Sequence, residues 1–295
     1  MIRRLSFFLA AALLLSWVPP AAAKVRVAAS TMDLASIASS VGGDDVEVFA
    51  IARPTADPHR VEVLPSYMVK VARAQLYLKV GLGLDQWADA IIGGSRNAHL
   101  EVVDCSQGVS VLERPAGKVD ASMGDVHPDG NPHYWLDPRN AAATARDIAE
   151  GLTRVDPAHA AQYRARAEAF GREAQAAWER GRATLRDMPS RAIFTYHRSW
   201  SYLADAFGLE VVATVEPVPG IPPTARHLAE LVQTAKARKV GALISEPYFS
   251  ADSGRFLNRE AGIRVLTIAS SCDGPEAGRY LAHIQAVLAA LAGAR

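Results

Sequence analysis

Two short segments carry the chemistry of this chain, and each sets an imidazole directly after a proline. They are Asp57-Pro58-His59 and, farther along, Asn131-Pro132-His133-Tyr134-Trp135-Leu136-Asp137-Pro138. Proline restricts its own backbone and that of the residue before it, so such a connection fixes where one side chain points. Two stiffly held histidines far apart in sequence point to a metal site assembled by tertiary structure. His197 directly follows a β-prone run ending at Tyr196, and Asp273 follows another ending at Ile268. Ligands of open parallel sheets bind beyond the carboxyl ends of the strands. His59, His133, His197 and Asp273 all fall at such ends, two in each half of the chain.

Taken singly, each residue has an ordinary role open to it. His59 or His133 could cap or hydrogen-bond a loop, His197 could start a helix, and Asp273 could form a turn before Gly274 and Pro275. Placement together makes them a site. Three imidazoles and a carboxylate suit a divalent transition metal in roughly tetrahedral geometry, zinc before manganese or magnesium. Calcium would lack the oxygens it needs, whereas affinity alone would also admit copper or nickel. Glu216 and Glu246, also near strand ends, are placed to hydrogen-bond ligand imidazoles. Tyr134 and Trp135 read as packing for the loop, and Asp137 as the cap of the helix beginning at Pro138. His99, His159, His227 and His283 read as surface residues. His127 stands in a Gly-, Pro- and Asp-rich stretch with Asp120, Asp125 and Asp129, where it either catches metal or is merely solvated. A zinc hydrolase would need a general base. No glutamate stands at a helical offset from a ligand histidine as in His-Glu-x-x-His, so no enzyme is expected.

The elements that must position these residues alternate. Strands are expected at Val25–Ala29, Val46–Ile51, Leu76–Val80 and Leu100–Val103, with helices at Met32–Val41, Pro65–Ala72 and Leu84–Ile92. An aperiodic connection from Gln107 to Pro132 leads to a helix over Asn140–Leu152. A long Ala-, Arg- and Glu-rich helical stretch, Pro157–Leu185, follows; its few large apolar residues suggest a mostly exposed bridge, broken near Gly171 or Gly181. After Pro189 the alternation restarts, with strands at Ala192–Tyr196, Glu210–Ala213, Ala242–Ile244 and Arg264–Ile268. The fold class is therefore α/β, two lobes with parallel sheets. The division expected is 24–154 for the first lobe, 155–188 for the linking helix and 189–295 for the second lobe.

Residues 1–23 stand apart as a signal peptide. Arg3 and Arg4 precede an apolar run from Leu5 to Val18, and Ala21-Ala22-Ala23 has the small residues of a cleavage site. The run falls short of the ~20 residues that span a bilayer, so a secreted, periplasmic protein is expected. Cleavage leaves roughly 270 residues, enough for one large domain or two of about 130. It also removes two arginines, taking the formal charge from +1 to −1. Near neutrality argues against nucleic acid as a partner. With oxidation permitted, Cys105 and Cys272 could form one disulfide or remain two free thiols.

The segments Asp57–Ser66, Gly81-Leu82-Gly83-Leu84-Asp85-Gln86-Trp87 and Asn131–Pro138 resemble those of the periplasmic metal-binding receptors of zinc and manganese ABC transporters. Tyr196-His197-Arg198-Ser199-Trp200-Ser201-Tyr202, Phe207-Gly208-Leu209 and the stretch from Pro219 to Glu246 extend the likeness over nearly the whole mature chain. The resemblance implies two Rossmann-like α/β lobes joined by a long rigid helix, with the metal in the cleft between them. It implies His59, His133, His197 and Asp273 as ligands, and His197 at the third position resembles the zinc branch. The function implied is a monomeric solute-binding protein that delivers Zn2+, its transported ligand, to an ABC permease in the inner membrane. A receptor for manganese or another divalent metal is the alternative, as is a metallochaperone or adhesin with no transporter. The chain departs from the family in two places: the loop before His133 holds only His127, and Ala269–Pro275 replaces a Leu-Asp-Pro-Leu-Gly type of turn.

Overall fold

The computed structural model describes residues 23–119, 123–124 and 126–293. The expected signal peptide, up to residue 22, lies outside the described residues, as do Asp120 and Asp125. Strands and helices alternate through β1 (Val25–Ala29), α1 (Met32–Gly42), β2 (Val46–Ala50), α2 (Pro65–Val71), β3 (Leu76–Lys79), α3 (Trp87–Ser95) and β4 (Glu101–Asp104). Two helices then pass between the halves, α4 (Pro138–Val155) and α5 (Ala160–Thr184). The second half repeats the alternation with β5 (Ala192–Thr195), α6 (Ser201–Phe207), β6 (Glu210–Thr214) and α7 (Ala225–Arg238). It closes with β7 (Ala242–Ser245), α8 (Ala251–Ala261), β8 (Arg264–Thr267) and α9 (Arg279–Ala292).

Each half builds a four-stranded sheet, ordered β2-β1-β3-β4 and β6-β5-β7-β8, with every pairing parallel. Helices cover both faces of such sheets, so their strands are near-continuous apolar runs. β5 and β7 are buried at all four positions. In both halves the second strand lies on one side of the first and the third on the other, so the topology reverses there. That reversal opens a crevice at the carboxyl ends.

The two halves share a core. One cluster runs from Leu76 and Ile148 through Phe170 to Ile193, Leu266 and Tyr280, while smaller clusters around Tyr77 and Phe194 cover the outer faces of the two sheets. Helix α5 is the spine. It is unbroken over 25 residues and buries Tyr163, Ala167, Phe170, Ala174, Ala177 and Gly181 as one stripe. The break expected near Gly171 or Gly181 is absent, and Gly181 serves packing. A Cβ on Gly181 would lie 2.4 Å from Leu288 Cδ1 and 2.5 Å from Phe207 Cε1. Small residues let neighbouring helices approach closely, so α5 needs few large apolar side chains to hold both halves.

Cys105 and Cys272 are buried free thiols, and no disulfide joins the halves. Burial pushes the Cys105 thiol well up, with the charges of Asp147, Asp104 and Asp85 adding to it. Asp137 caps α4 as expected, accepting from Arg139 N at 2.8 Å. The turn after β3 depends on Asp85, whose buried carboxylate accepts from Val80 N at 2.7 Å and Gly81 N at 3.1 Å. Gly81 has φ +81, and a Cβ there would meet Asp104 Oδ1 at 2.2 Å. This turn delivers Trp87 to the start of α3, where it touches the metal site.

Candidate metal centre

The two Asx-Pro-His segments fold identically at close range. In the first, Asp57 Oδ1 accepts from His59 N at 3.0 Å and from His59 Nδ1 at 2.8 Å. In the second, Asn131 Oδ1 accepts from His133 N at 3.0 Å and from His133 Nδ1 at 2.9 Å. A short polar side chain thus turns the backbone and grips the ring two residues on. His197 follows β5, and its Nδ1 donates to Glu216 Oε2 at 2.7 Å. Each ring therefore carries its proton on Nδ1 and keeps the Nε2 lone pair for another partner.

The topology brings these three rings together. Potential ligand atoms of His59, His133 and His197 lie within 4.8 Å of one another. Two Zn–N bonds of ~2.1 Å span at most about 4.2 Å, so the atoms stand close to coordinating distance and a small inward movement of the rings completes it. Ring centroids are 5.1 Å apart for His59 and His133, 5.3 Å for His59 and His197, and 5.6 Å for His133 and His197. The Nε2 atoms of His59 and His133 are buried without a hydrogen-bond partner. Buried polar atoms are nearly always satisfied, so two such lone pairs converging on one point fit a metal cation. The triad is able to hold a divalent metal.

Asp273 is not brought to the cluster. Its side chain is 78% exposed and pairs with Arg279 at 3.6 Å. Residues Ser270 to Cys272 are instead pinned elsewhere: Ser270 O accepts from Trp135 Nε1 at 2.7 Å, and Cys272 N donates to Asp33 Oδ1 at 3.1 Å. That anchoring carries the next residue to the surface. His127 does approach, stacking on His59 with centroids 5.2 Å apart. Of the two glutamates proposed as imidazole partners, Glu216 holds His197, whereas Glu246 accepts from Trp200 Nε1 at 3.0 Å.

Charge is distributed unevenly between His133 and His197. His133 is wholly buried, and that burial, with the nearby His59, His197 and His127, holds its pKa well below the ordinary range. It stays neutral and ready to coordinate. Burial would lower His197 too, but the hydrogen bond and charge of Glu216, helped by Glu246 and Asp57, outweigh it and raise the pKa. Burial of Asp57 would raise its pKa, yet its bonds to His59 hold it below the usual carboxylate value. Sequence reasoning missed the grip of Asp57 and Asn131 on the rings. The repeated Asx-Pro-His spelling was the available signal. Nothing in the sequence marked the bond from Trp87 Nε1 to Pro58 O at 2.9 Å.

Two α/β lobes on a shared spine, with an imidazole cluster between them, define a solute-binding receptor for a metal ion. The chain belongs to the family described as zinc-uptake complex component A, periplasmic (ZnuA), whose model matches residues 27–294. It is similar to the iron-binding protein YfeA of Yersinia pestis, 27% identical over 247 residues, covering 82% of this chain and 75% of the relative. Among solved structures, it resembles a crystal structure of ZnuA with a TM-score of 0.79 and 27% identity, covering 92% of this chain and 98% of that one. It also resembles the SBP FpvC from Pseudomonas aeruginosa in complex with Mn2+, with a TM-score of 0.77 and 25% identity, covering 92% and 98%. Proteins of this family are not enzymes. Membership makes the chain a divalent metal-binding receptor, in a family of soluble periplasmic and lipoprotein binding proteins, that works with an ABC permease. Among the described residues no helix is long and apolar enough to cross a membrane.

Proposed function

We propose that this chain is exported by its N-terminal signal and, as a monomer, captures Zn2+ in the periplasm for its permease. His59, His133 and His197 hold the ion through Nε2. The observation that carries this is the all-nitrogen cluster, with both ring tautomers of the Asx-Pro-His turns and that of His197 fixed by Nδ1 donation. Nitrogen donors without carboxylate favour zinc over manganese, which prefers sites richer in oxygen. The family description names zinc uptake, while the similar proteins named for iron or solved with manganese keep a second metal in view.

Competition of Zn2+ and Mn2+ against a chelating dye tests the proposal on wild-type protein and on His59→Ala, His133→Ala and His197→Ala. Zinc should bind far more tightly than manganese, and each change should cost more than the 10–100-fold typical of an outer partner. His227→Ala should change nothing. Equal affinity for the two metals would remove zinc as the cargo, and unchanged binding in the three variants would remove the site. Light scattering in the metal-loaded state checks the monomer.

A further inference from the structure

The three ligands are not mounted alike. His133 stands in a turn tied to both lobes. Asn131 Nδ2 donates to Arg198 O at 2.9 Å, Tyr202 OH to Asn131 O at 2.7 Å, and Tyr134 OH to Val80 O at 2.9 Å. Tyr280 OH adds a bond to Trp135 O at 2.6 Å. His197 lies two residues beyond the end of β5, immediately before the same Arg198–Tyr202 region, and is clamped by Glu216. These two imidazoles share one frame, and the cavity that borders both measures only about 30 Å³, although His197 also faces a larger one. The smaller has room for about one water.

His59 is mounted differently. Its turn is held to α3 by Trp87 Nε1 and to the first lobe by Val61 and Val63, which pack on the cluster around Tyr77. Toward the second lobe lies a cavity of about 360 Å³, bounded by Asp57 and His59 on one side and by His197, Glu216, Tyr248 and Phe249 on the other. On the other side, where His127 stacks on the ring, a cavity of about 310 Å³ opens toward Gly83, Leu84 and Pro128. The turn has wide space on both flanks, whereas the turn of His133 borders the small cavity of about 30 Å³. Interiors resist movement where they are close-packed and yield where they are not.

We propose that His59 is the gating ligand of the receptor. The ion is taken first by the preformed pair His133 and His197, and the Asp57–Arg60 turn brings His59 onto it last. Release reverses that order, and Trp87 is the positioning residue that sets how long His59 stays engaged. This rests on the metal-receptor function proposed above, and deepens it by assigning the order in which ligands act. The shared core around α5 keeps the lobes together, so a small turn, moving alone, supplies the exit.

The test has two arms. Stopped-flow release of Zn2+ to a chelator should be about five- to tenfold faster in Trp87→Phe, from loss of one hydrogen bond, with association within about twofold of wild type. Tyr202→Phe, which removes one of several ties on the other turn, should leave both rates within about twofold. Equal acceleration in the two variants, or slowed association in Trp87→Phe, would overturn the assignment. The second arm needs neither variant nor metal. His59 N and His133 N each donate to their Asx side chain at 3.0 Å, so they are matched probes for hydrogen exchange. In metal-free wild-type protein His59 N should exchange much faster than His133 N; equal rates would sink the gate. Should zinc binding survive loss of all three histidines, the receptor site itself fails, an outcome distinct from either result.

Discussion

Asp57-Pro58-His59 and Asn131-Pro132-His133 are nearly the same sentence written twice, and the molecule reads them differently. Locally they match to within 0.1 Å in both hydrogen bonds. In burial they diverge: the His59 side chain is 11% exposed, whereas His133 is 1% exposed as a residue. The chemistry diverges with it. Asp57 gives its ring an anionic partner, and Asn131 gives a neutral one whose amide nitrogen is spent on Arg198 and Glu113. Local sequence therefore sets where an imidazole points, and tertiary embedding sets how firmly it is held.

Removing the grip on each ring should break the likeness most. Asn131→Ala and Asp57→Ala should each weaken zinc by about 10–100-fold, as loss of an outer partner does at other metal sites. Their effects on folding should differ. Asn131→Ala leaves the buried Nδ1–H of His133 unpaired and severs the tie to Arg198, at a cost of about 1–3 kcal/mol. Asp57→Ala leaves a half-open turn that water can reach, and should cost much less. Thermal unfolding of the metal-free variants checks this, and equal losses would mean the two turns are embedded alike.

Much of this was legible in the residues. Strand alternation gave both sheets, because parallel strands covered on both faces must be apolar over most of their length, as Ala192–Phe194 and Ala242–Ile244 are within two fully buried strands. The histidines were visible because a proline-fixed turn has its own spelling. Asp273 was misplaced because proximity along the chain to β8 says nothing of Asp33 and Trp135, which pin the preceding residues from distant elements. Helix α5 defeated composition for a related reason. Glycine's low helix propensity is a local average, and Gly181 is fixed by Leu288 and Phe207, which no window of sequence contains.

Protons sharpen the comparison next, since metal requires neutral imidazole. The pKa of His133 is depressed and that of His197 raised, so on acidification His197 is the buried ring that protonates first. Zinc affinity should fall as pH drops through the raised pKa of His197, with His133 adding nothing until far lower. Glu216→Gln keeps an acceptor for Nδ1 but removes the charge that raises the pKa, moving the acid limb to lower pH. The variant should bind more weakly at pH 8, about tenfold at most, and the deficit should shrink toward pH 5. A constant deficit across that range would show that Glu216 acts on geometry alone.

The prolines give the finest comparison. Pro58→Ala and Pro132→Ala loosen the unfolded chain by the same amount, costing about 0.4–1 kcal/mol each if the native turns tolerate both residues equally. A difference between the two in urea unfolding of metal-free protein then comes from the folded state. The turn of His133, tied to Arg198, Tyr202 and Val80, holds its backbone without help from the ring and should lose no more than the unfolded-state share. The turn of His59 relies on Pro58 to present its carbonyl to Trp87, so its loss should be the larger by a few tenths of a kcal/mol. The opposite ranking would place the stiffer turn at His59 and leave the two-plus-one mounting of the ligands without its physical basis.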